Sequence, residues 1–413
     1  MTTHPPQSVF AGLKVVDIAS FIAAPAAATM LSDFGADVIK VEPPGIGDPQ
    51  RLLSSVLPSP PALGNYSWHL ANRNKRGMSI NLKSEGGTQI LKRLVEWADV
   101  LITNFPHGTR EGLHLGYDEV SSWNPRLIYA DITGFGDAGP DATLPGFDLT
   151  AFWSRSGLLA STRDADAPPT SPPWGSGDYT TAVAIYAAIT TALYHRERTG
   201  RGANVGTSLL ATGVWATGTL VSAALAGGKP YELHDRNKPV NALTNSYQSG
   251  DGRWIMLAAK RSAWPVLANA IGRADLLADA RFSDAEAVGR HAGDLAAVLD
   301  AEFRAQSLAH WKEVLDKARI PFGVIQTPEE AAEDPQLRAA EIVVPIEGAA
   351  DIEYTVNNPI TLRGLARVPA RRAPEHGEHN GEILAELGFS VDDIAQLQEQ
   401  NVIPVAAEQE NAK

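Results

Sequence analysis

The sequence predicts an α/β protein with one large doubly wound domain and one smaller α+β domain. Two observations predict it. Short apolar runs alternate with helical patterns from residue 13 to residue 135, the signature of strand–helix–strand units and a parallel sheet. Beyond Gly227 the texture changes to a polar, Pro-bearing linker followed by a hairpin pattern and helical segments. At 413 residues the chain is long enough for two cores. The expected division is 1–228 for the N-terminal part of the large domain and 235–325 for the small one. Residues 326–413 form a linker and a C-terminal segment that returns to the large domain.

In order, L-K-V-V-D-I-A (13–19) reads as a buried strand, and a helix follows from about Pro25. D-V-I-K-V-E-P from Asp37 is the second strand and M-S-I-N-L (78–82) the third. An amphipathic helix covers 85–98, and strands cover 99–105 and 127–135. Pro- and Ser-rich stretches at 52–63 and 162–173 read as long loops. Leu209 to Ala226 is apolar and uncharged but carries threonines and glycines; it reads as a helix buried in a core or a subunit interface, not as a membrane span. The small domain shows a hairpin around 249–257 and helices near 264–275, 284–306 and 308–317. The domain pattern is Rossmann-like, yet the loop after the first strand is A-S-F-I-A-A-P and lacks G-x-G-x-x-G, so no nucleotide redox cofactor is expected.

Composition narrows the function. A formal charge of −13 argues against general binding to nucleic acid or to anionic membrane. With no cysteine, disulfides, thiolate catalysis and zinc–thiolate sites are excluded, and a cytoplasmic setting fits. M-T-T-H-P-P-Q-S has no basic region followed by an apolar core, so no signal peptide is expected. His376 and His379 have H-x-x-H spacing but no evident third ligand, and no metal is predicted.

The chemistry centres on W-G-S-G-D-Y-T-T, Trp174 to Thr181. The glycines allow a tight turn and close approach of a ligand, and the apolar run behind them has helical length. Asp178 therefore sits where a helix begins, and free N–H groups there are expected to hold its carboxylate anionic. The residues alone leave two roles open for it, N-cap or nucleophile. Asp148 is open in the same way, as a cap on the segment after it or as an assistant to the site. Ligands of doubly wound sheets bind at the carboxyl ends of strands, where Ser20, Phe21, Asn104 and Phe105 lie.

Several stretches together resemble the family III CoA-transferases (the CaiB/BaiF type, formyl-CoA transferase-like). They are G-L-K-V-V-D-I-A-S-F-I-A-A-P, L-S-D-F-G-A-D-V-I-K-V-E-P-P-G-I-G-D-P-Q-R, N-R-N-K-R-G-M-S-I-N-L, D-V-L-I-T-N-F and N-P-R-L-I-Y-A-D-I-T-G-F-G-D-A-G-P. G-S-G-D at 175–178, T-G-R-G-A-N-V, D-G-R-W-I, I-P-F-G-V-I and G-E-H-N-G-E-I-L continue the match, collinear from about residue 11 onward. The resemblance implies transfer of coenzyme A from an acyl-CoA donor to a carboxylic acid acceptor. It implies Asp178 as the catalytic residue, passing through an aspartyl anhydride and an aspartyl-CoA thioester. It also implies an interlocked, ring-like homodimer.

Ser20, Phe21, Ala23, Arg73, Lys75, Arg76, Asn104, Phe105 and Arg110 are the expected CoA contacts. Two places where relatives often carry a basic residue hold Pro43–Pro44 and Gly112 here, so the phosphates are expected to meet Arg73, Lys75, Arg76 or Arg110. The alternatives are a 2-methylacyl-CoA racemase and a non-catalytic CoA-binding homologue. The racemases resemble this chain broadly but have G-H-D-I-N-Y where this chain has P-G-F-D-L-T, and Phe147 cannot carry a proton. Phe147, Phe152 and Trp153 point to an apolar acyl group.

Overall fold

The computed structural model describes residues 8–53, 64–229, 231–233 and 235–404. Residues 1–7 and most of the expected loop at 52–63 lie outside these. The chain divides into two compact units. The first comprises 1–159, 171–222 and 336–413, and the second 160–170 and 223–335. The C-terminal segment thus joins the first unit, and residues 160–170 group with the second, which the linear division did not anticipate.

The first unit is built on a six-stranded parallel sheet in the order β3-β2-β1-β4-β5-β6. Its strands are β1 (Lys14–Ile18), β2 (Asp37–Glu42), β3 (Arg76–Ser79), β4 (Val100–Thr103), β5 (Ile128–Thr133) and β6 (Ala203–Ser208). Because side chains alternate along a strand, the apolar runs feed two cores. Val15, Val100, Ile102 and Ile128 pack with helix α1 (Ala23–Asp33) and with Ala182, Ile185 and Ile189. Val16, Ile18, Leu101 and Tyr129 pack on the other side with α2 (Glu85–Trp97) and with Ile383, Leu384 and Leu397 of the C-terminal helices. Each such side chain contributes about 1.5–3 kcal/mol on burial.

Several elements differ from expectation. α1 begins at Ala23, with Pro25 in its first turn, where a missing N–H costs nothing. β3 ends at Ser79 rather than reaching 82, because Asn81 turns away to donate its N–H to the Val402 carbonyl. β6 was not anticipated, since A-N-V-G-T-S is polar for a strand; it is a half-exposed edge. The Leu209–Ala226 stretch is two short helices, Leu209–Ala216 and Gly218–Leu225. Leu209, Thr212, Gly213 and Thr217 are buried within the chain, but Trp215 is 87% and Leu225 84% exposed. Among the described residues no helix is long and apolar enough to cross a membrane.

The C-terminal segment adds a small sheet, Tyr354–Val356, Val343–Glu347 and Ala370–Arg371, and two helices, Asn380–Glu386 and Val391–Glu399. The second unit carries a three-stranded antiparallel sheet of Ser246–Gln248, Trp254–Leu257 and Phe322–Val324. The expected hairpin therefore exists, with its turn at 249–253. Helices Trp264–Ala270, Ala292–Arg304 and Leu308–Ala318 complete that core, in which Phe303 stacks on Tyr247 with ring centroids 5.1 Å apart.

Candidate active site

In this sheet β1 and β4 are neighbours from which the chain winds outward in opposite directions, so a crevice opens at their carboxyl ends. Ser20 and Asn104 lie there and are joined reciprocally. Asn104 Oδ1 accepts the Ser20 N–H at 2.9 Å, and its Nδ2 donates to the Ser20 carbonyl at 2.7 Å. Phe21, next in the chain, has φ 62°, a left-handed conformation that is costly for an aromatic residue. Its N–H donates to Asp48 Oδ1 at 3.0 Å. The Phe21 ring meets Phe147 edge-on, with centroids 6.3 Å apart. Ala23 is buried as the first residue of α1, and Phe105 is partly buried against the second core.

The W-G-S-G-D turn opens helix α3 (Ser176–Thr199). Gly175 has φ 81° and lies against Ile22, whose Cδ1 is 3.2 Å from where a Cβ on Gly175 would stand. Asp178 is not the N-cap. Gly175 holds that position, with no capping side chain of its own, and Asp148 caps the helix from outside. Its Oδ2 accepts the Gly175 N–H at 2.6 Å and its Oδ1 the Gly177 N–H at 2.9 Å. Asp148 thus caps the helix of Asp178 rather than the segment after it. A Cβ on Gly177 would overlap Asp148 Oδ1 and the Phe152 ring, so only glycine permits this seat. Asp148 itself opens a short π-helical turn, Asp148–Ser154, begun by the Phe147 N–H donating to Thr150 Oγ1.

The electrostatics reverse one expectation. Burial, and after it the charge of Asp148, push the Asp178 carboxyl up to about 7. The helix end does not hold it anionic, because Asp148 occupies the N–H groups that would have done so. The Asp148 carboxyl is also raised, by burial, against which its two N–H donors pull. The result is a protonatable carboxyl poised near neutrality in the first turn of a helix, a group suited to nucleophilic or proton-transfer chemistry.

The cations named from the sequence do not gather here. Arg73 is buried in a two-pronged pair with Asp33 at 2.9 and 2.7 Å. Lys75, also buried, donates to Asp17, Asn72 and the Pro25 and Ala71 carbonyls at 2.8–2.9 Å. Burial lowers its ammonium to about 8. Arg76 ties Asp37 to Glu382 and Glu386. Arg110 pairs with Asp131 at 2.9 Å, and its Nε and Nη2 have no hydrogen-bond partner. His376 Nε2 donates to the Pro43 carbonyl and His379 Nδ1 accepts the Gly77 N–H. Among the described residues no three His, Asp or Glu side chains form a metal-ligating group. Asp48, Lys40 and Asp17 were missed; their signal was a charge inside an otherwise apolar strand or just after one.

A separate apolar groove of about 1460 Å³ runs along the first unit, lined by Ala26, Met30, Tyr179, Val183, Trp215 and Leu362 among others. Asp178 does not line it; the next residue does.

The model of CoA-transferase family III matches residues 10–380. The (R)-2-hydroxy-4-methylpentanoate CoA-transferase of Clostridioides difficile is 33% identical over 95% of this chain and 98% of its own length. The cinnamoyl-CoA:phenyllactate CoA-transferase of Clostridium sporogenes is 31% identical over 97% of this chain and 98% of its own. The crystal structure of a CAIB/BAIF family protein from Brucella suis superposes with a TM-score of 0.82 at 29% identity, covering 92% of this chain and all of that one.

Proposed function

The chain belongs to CoA-transferase family III, and from that premise we propose that it moves coenzyme A from an acyl-CoA to a free carboxylic acid through Asp178. The observation that carries this reading is the half-buried Asp178 carboxyl, raised to about 7, at a helix end held by Asp148. Ionised, Asp178 attacks the thioester carbonyl; the C–S bond breaks, giving an acyl–aspartyl anhydride and CoA thiolate. The thiolate then attacks the aspartyl carbonyl, leaving aspartyl-CoA and the first acid. The acceptor carboxylate reverses both steps, so no proton is consumed and one carboxylate oxygen passes to Asp178.

Each tetrahedral adduct needs N–H donors at its oxyanion, worth roughly 10²–10³-fold apiece. The Gly175 and Gly177 N–H groups are taken by Asp148, so the loop after Ser20, running into the first turn of α1 at Ala23, is assigned that task. CoA lies across Ser20, Phe21, Ala23, Asn104 and Phe105. Of the four cations, Arg110 alone has guanidinium nitrogens, Nε and Nη2, that make no hydrogen bond, although Nη2 lies 3.7 Å from Asp137 Oδ1. The Phe21–Phe147 pair supports an apolar acyl group, in line with the branched and aryl 2-hydroxy acids in the names of the two relatives. The apolar groove and the exposed Trp215 support a homodimer of interlocked rings.

The test is a panel of acyl-CoAs crossed with acids that includes 2-hydroxy-4-methylpentanoate, phenyllactate and oxalate, with Asp178→Ala as control. A new acyl-CoA, formed by the natural enzyme only, is expected. Exchange of the α-proton with deuterated water in the absence of any acceptor, with no transfer, would establish a racemase instead.

A further inference from the structure

Four consecutive backbone groups at the end of β1 are each held by a side chain. Lys40 Nζ donates to the Ala19 carbonyl; Asn104 takes both the N–H and the carbonyl of Ser20; Asp48 takes the N–H of Phe21. Lys40 and Asp48 are themselves a pair at 2.8 Å, and both side chains are wholly buried. Asp48 is seated further by its own N–H, which donates to Glu42 Oε2 at 2.9 Å, and Glu42 is held by Arg51 at 2.7 Å.

A parallel strand covered on both faces has no packing need for an ammonium at position 40, and a buried pair gains little stability over apolar residues of similar size. What the pair accomplishes here is local. It fastens the turn that keeps Phe21 left-handed, with Phe21 against Phe147 and Ile22 against Gly175. Phe147 precedes Asp148, and Gly175 opens the helix of Asp178. Displacement of the turn would therefore reach the nucleophile through both contacts.

We propose that Asp48, fixed by Lys40, is a positioning residue for acyl transfer: it holds the Ser20–Phe21 turn against the Asp178 helix end. The proposal rests on Asp178 being the nucleophile. Asp48 touches no reacting atom.

The test compares rates of Asp178 acylation by an acyl-CoA in a single turnover. Asp48→Ala removes the acceptor for Phe21 and is expected to slow acylation tenfold or more. The double variant Lys40→Met/Asp48→Asn keeps an acceptor for the Phe21 N–H and leaves no buried charge alone; it is expected to return to within about threefold of the natural enzyme. An Asp48→Ala rate within twofold of the natural enzyme overturns the proposal. So does a double variant as slow as Asp48→Ala, since the effect would then follow loss of the ion pair rather than the Phe21 bond. Should Asp48→Ala not fold, the double variant and amide exchange in the natural protein decide: the Phe21 amide must exchange as slowly as those of β1. Fast exchange there overturns the proposal. Absence of acylation in the natural enzyme would sink the nucleophile assignment instead, leaving amide exchange to judge the Asp48 contact.

Discussion

Asp148 and Asp178 share one helix end. The Asp148 carboxylate accepts the N–H groups of Gly175 and Gly177 at 2.6 and 2.9 Å, and its charge joins burial in raising the Asp178 carboxyl to about 7. A helix end normally favours an anion. Here one aspartate takes that stabilisation and denies it to the other, so the second keeps a carboxyl that ionises only as pH approaches neutrality.

The pH dependence follows. With Asp178 as the proposed nucleophile, the reactive species is its ionised form, so kcat/KM should rise with pH through about 7 and level off above it. In Asp148→Asn the neighbouring charge is gone, and the midpoint of this limb should move to lower pH. The plateau should fall about tenfold or more, because an amide cannot serve both N–H groups as two carboxylate oxygens do. A pH–rate profile of both proteins checks the two effects.

Stability carries the same sign. A carboxyl raised in the folded state stabilises the fold while protonated, and that contribution is lost as pH rises from the ordinary carboxylate range through about 7. Asp178→Asn cannot ionise and escapes this loss. After a discount for the partial exposure of the side chain, it should be about 2 kcal/mol more stable than the natural protein at pH 8, the difference shrinking towards pH 4. Urea unfolding across that range measures it.

Gly177→Ala places a methyl group into Asp148 Oδ1 and Phe152. The substitution should cost about 1–3 kcal/mol of stability and roughly 10² in kcat, through displacement of the helix end. Unfolding and turnover measured on one preparation separate the two.

Arg73→Gln distinguishes a phosphate contact from a structural one. Asp33 accepts from Arg73, Asn74 and Asn358, and the pair is buried. Loss of the guanidinium should cost about 3 kcal/mol and leave KM for acyl-CoA nearly unchanged. A large rise in KM without loss of stability would assign Arg73 to CoA.

The sheet was legible because its strands are short, apolar and separated by helical patterns, and the ends of β1 and β4 are recognisable in the sequence itself. β6 was not legible: a half-exposed edge needs no apolar run, and A-N-V-G-T-S shows none. The place of Asp178 in the first turn of a helix was legible, but its clamp was not. The bonds from Asp148 to Gly175 and Gly177 span 27 and 29 residues and leave no local pattern. N-R-N-K-R likewise reads as a basic run open to an anion. Its partners Asp33, Asp17 and Asp37 are 40, 58 and 39 residues away, on elements that only the folded sheet brings alongside.

The passage of oxygen tests the central claim most directly. The natural enzyme would be given an acyl-CoA and an acceptor acid whose carboxylate carries heavy oxygen, and the peptide holding Asp178 would then be weighed. Transfer through aspartyl-CoA and the second anhydride leaves an acceptor oxygen in the Asp178 carboxylate, so that peptide, and no other, should gain heavy oxygen with turnover. Production of the new acyl-CoA with Asp178 still unlabelled would contradict the account, since CoA would then be passing between substrates without a covalent aspartyl intermediate.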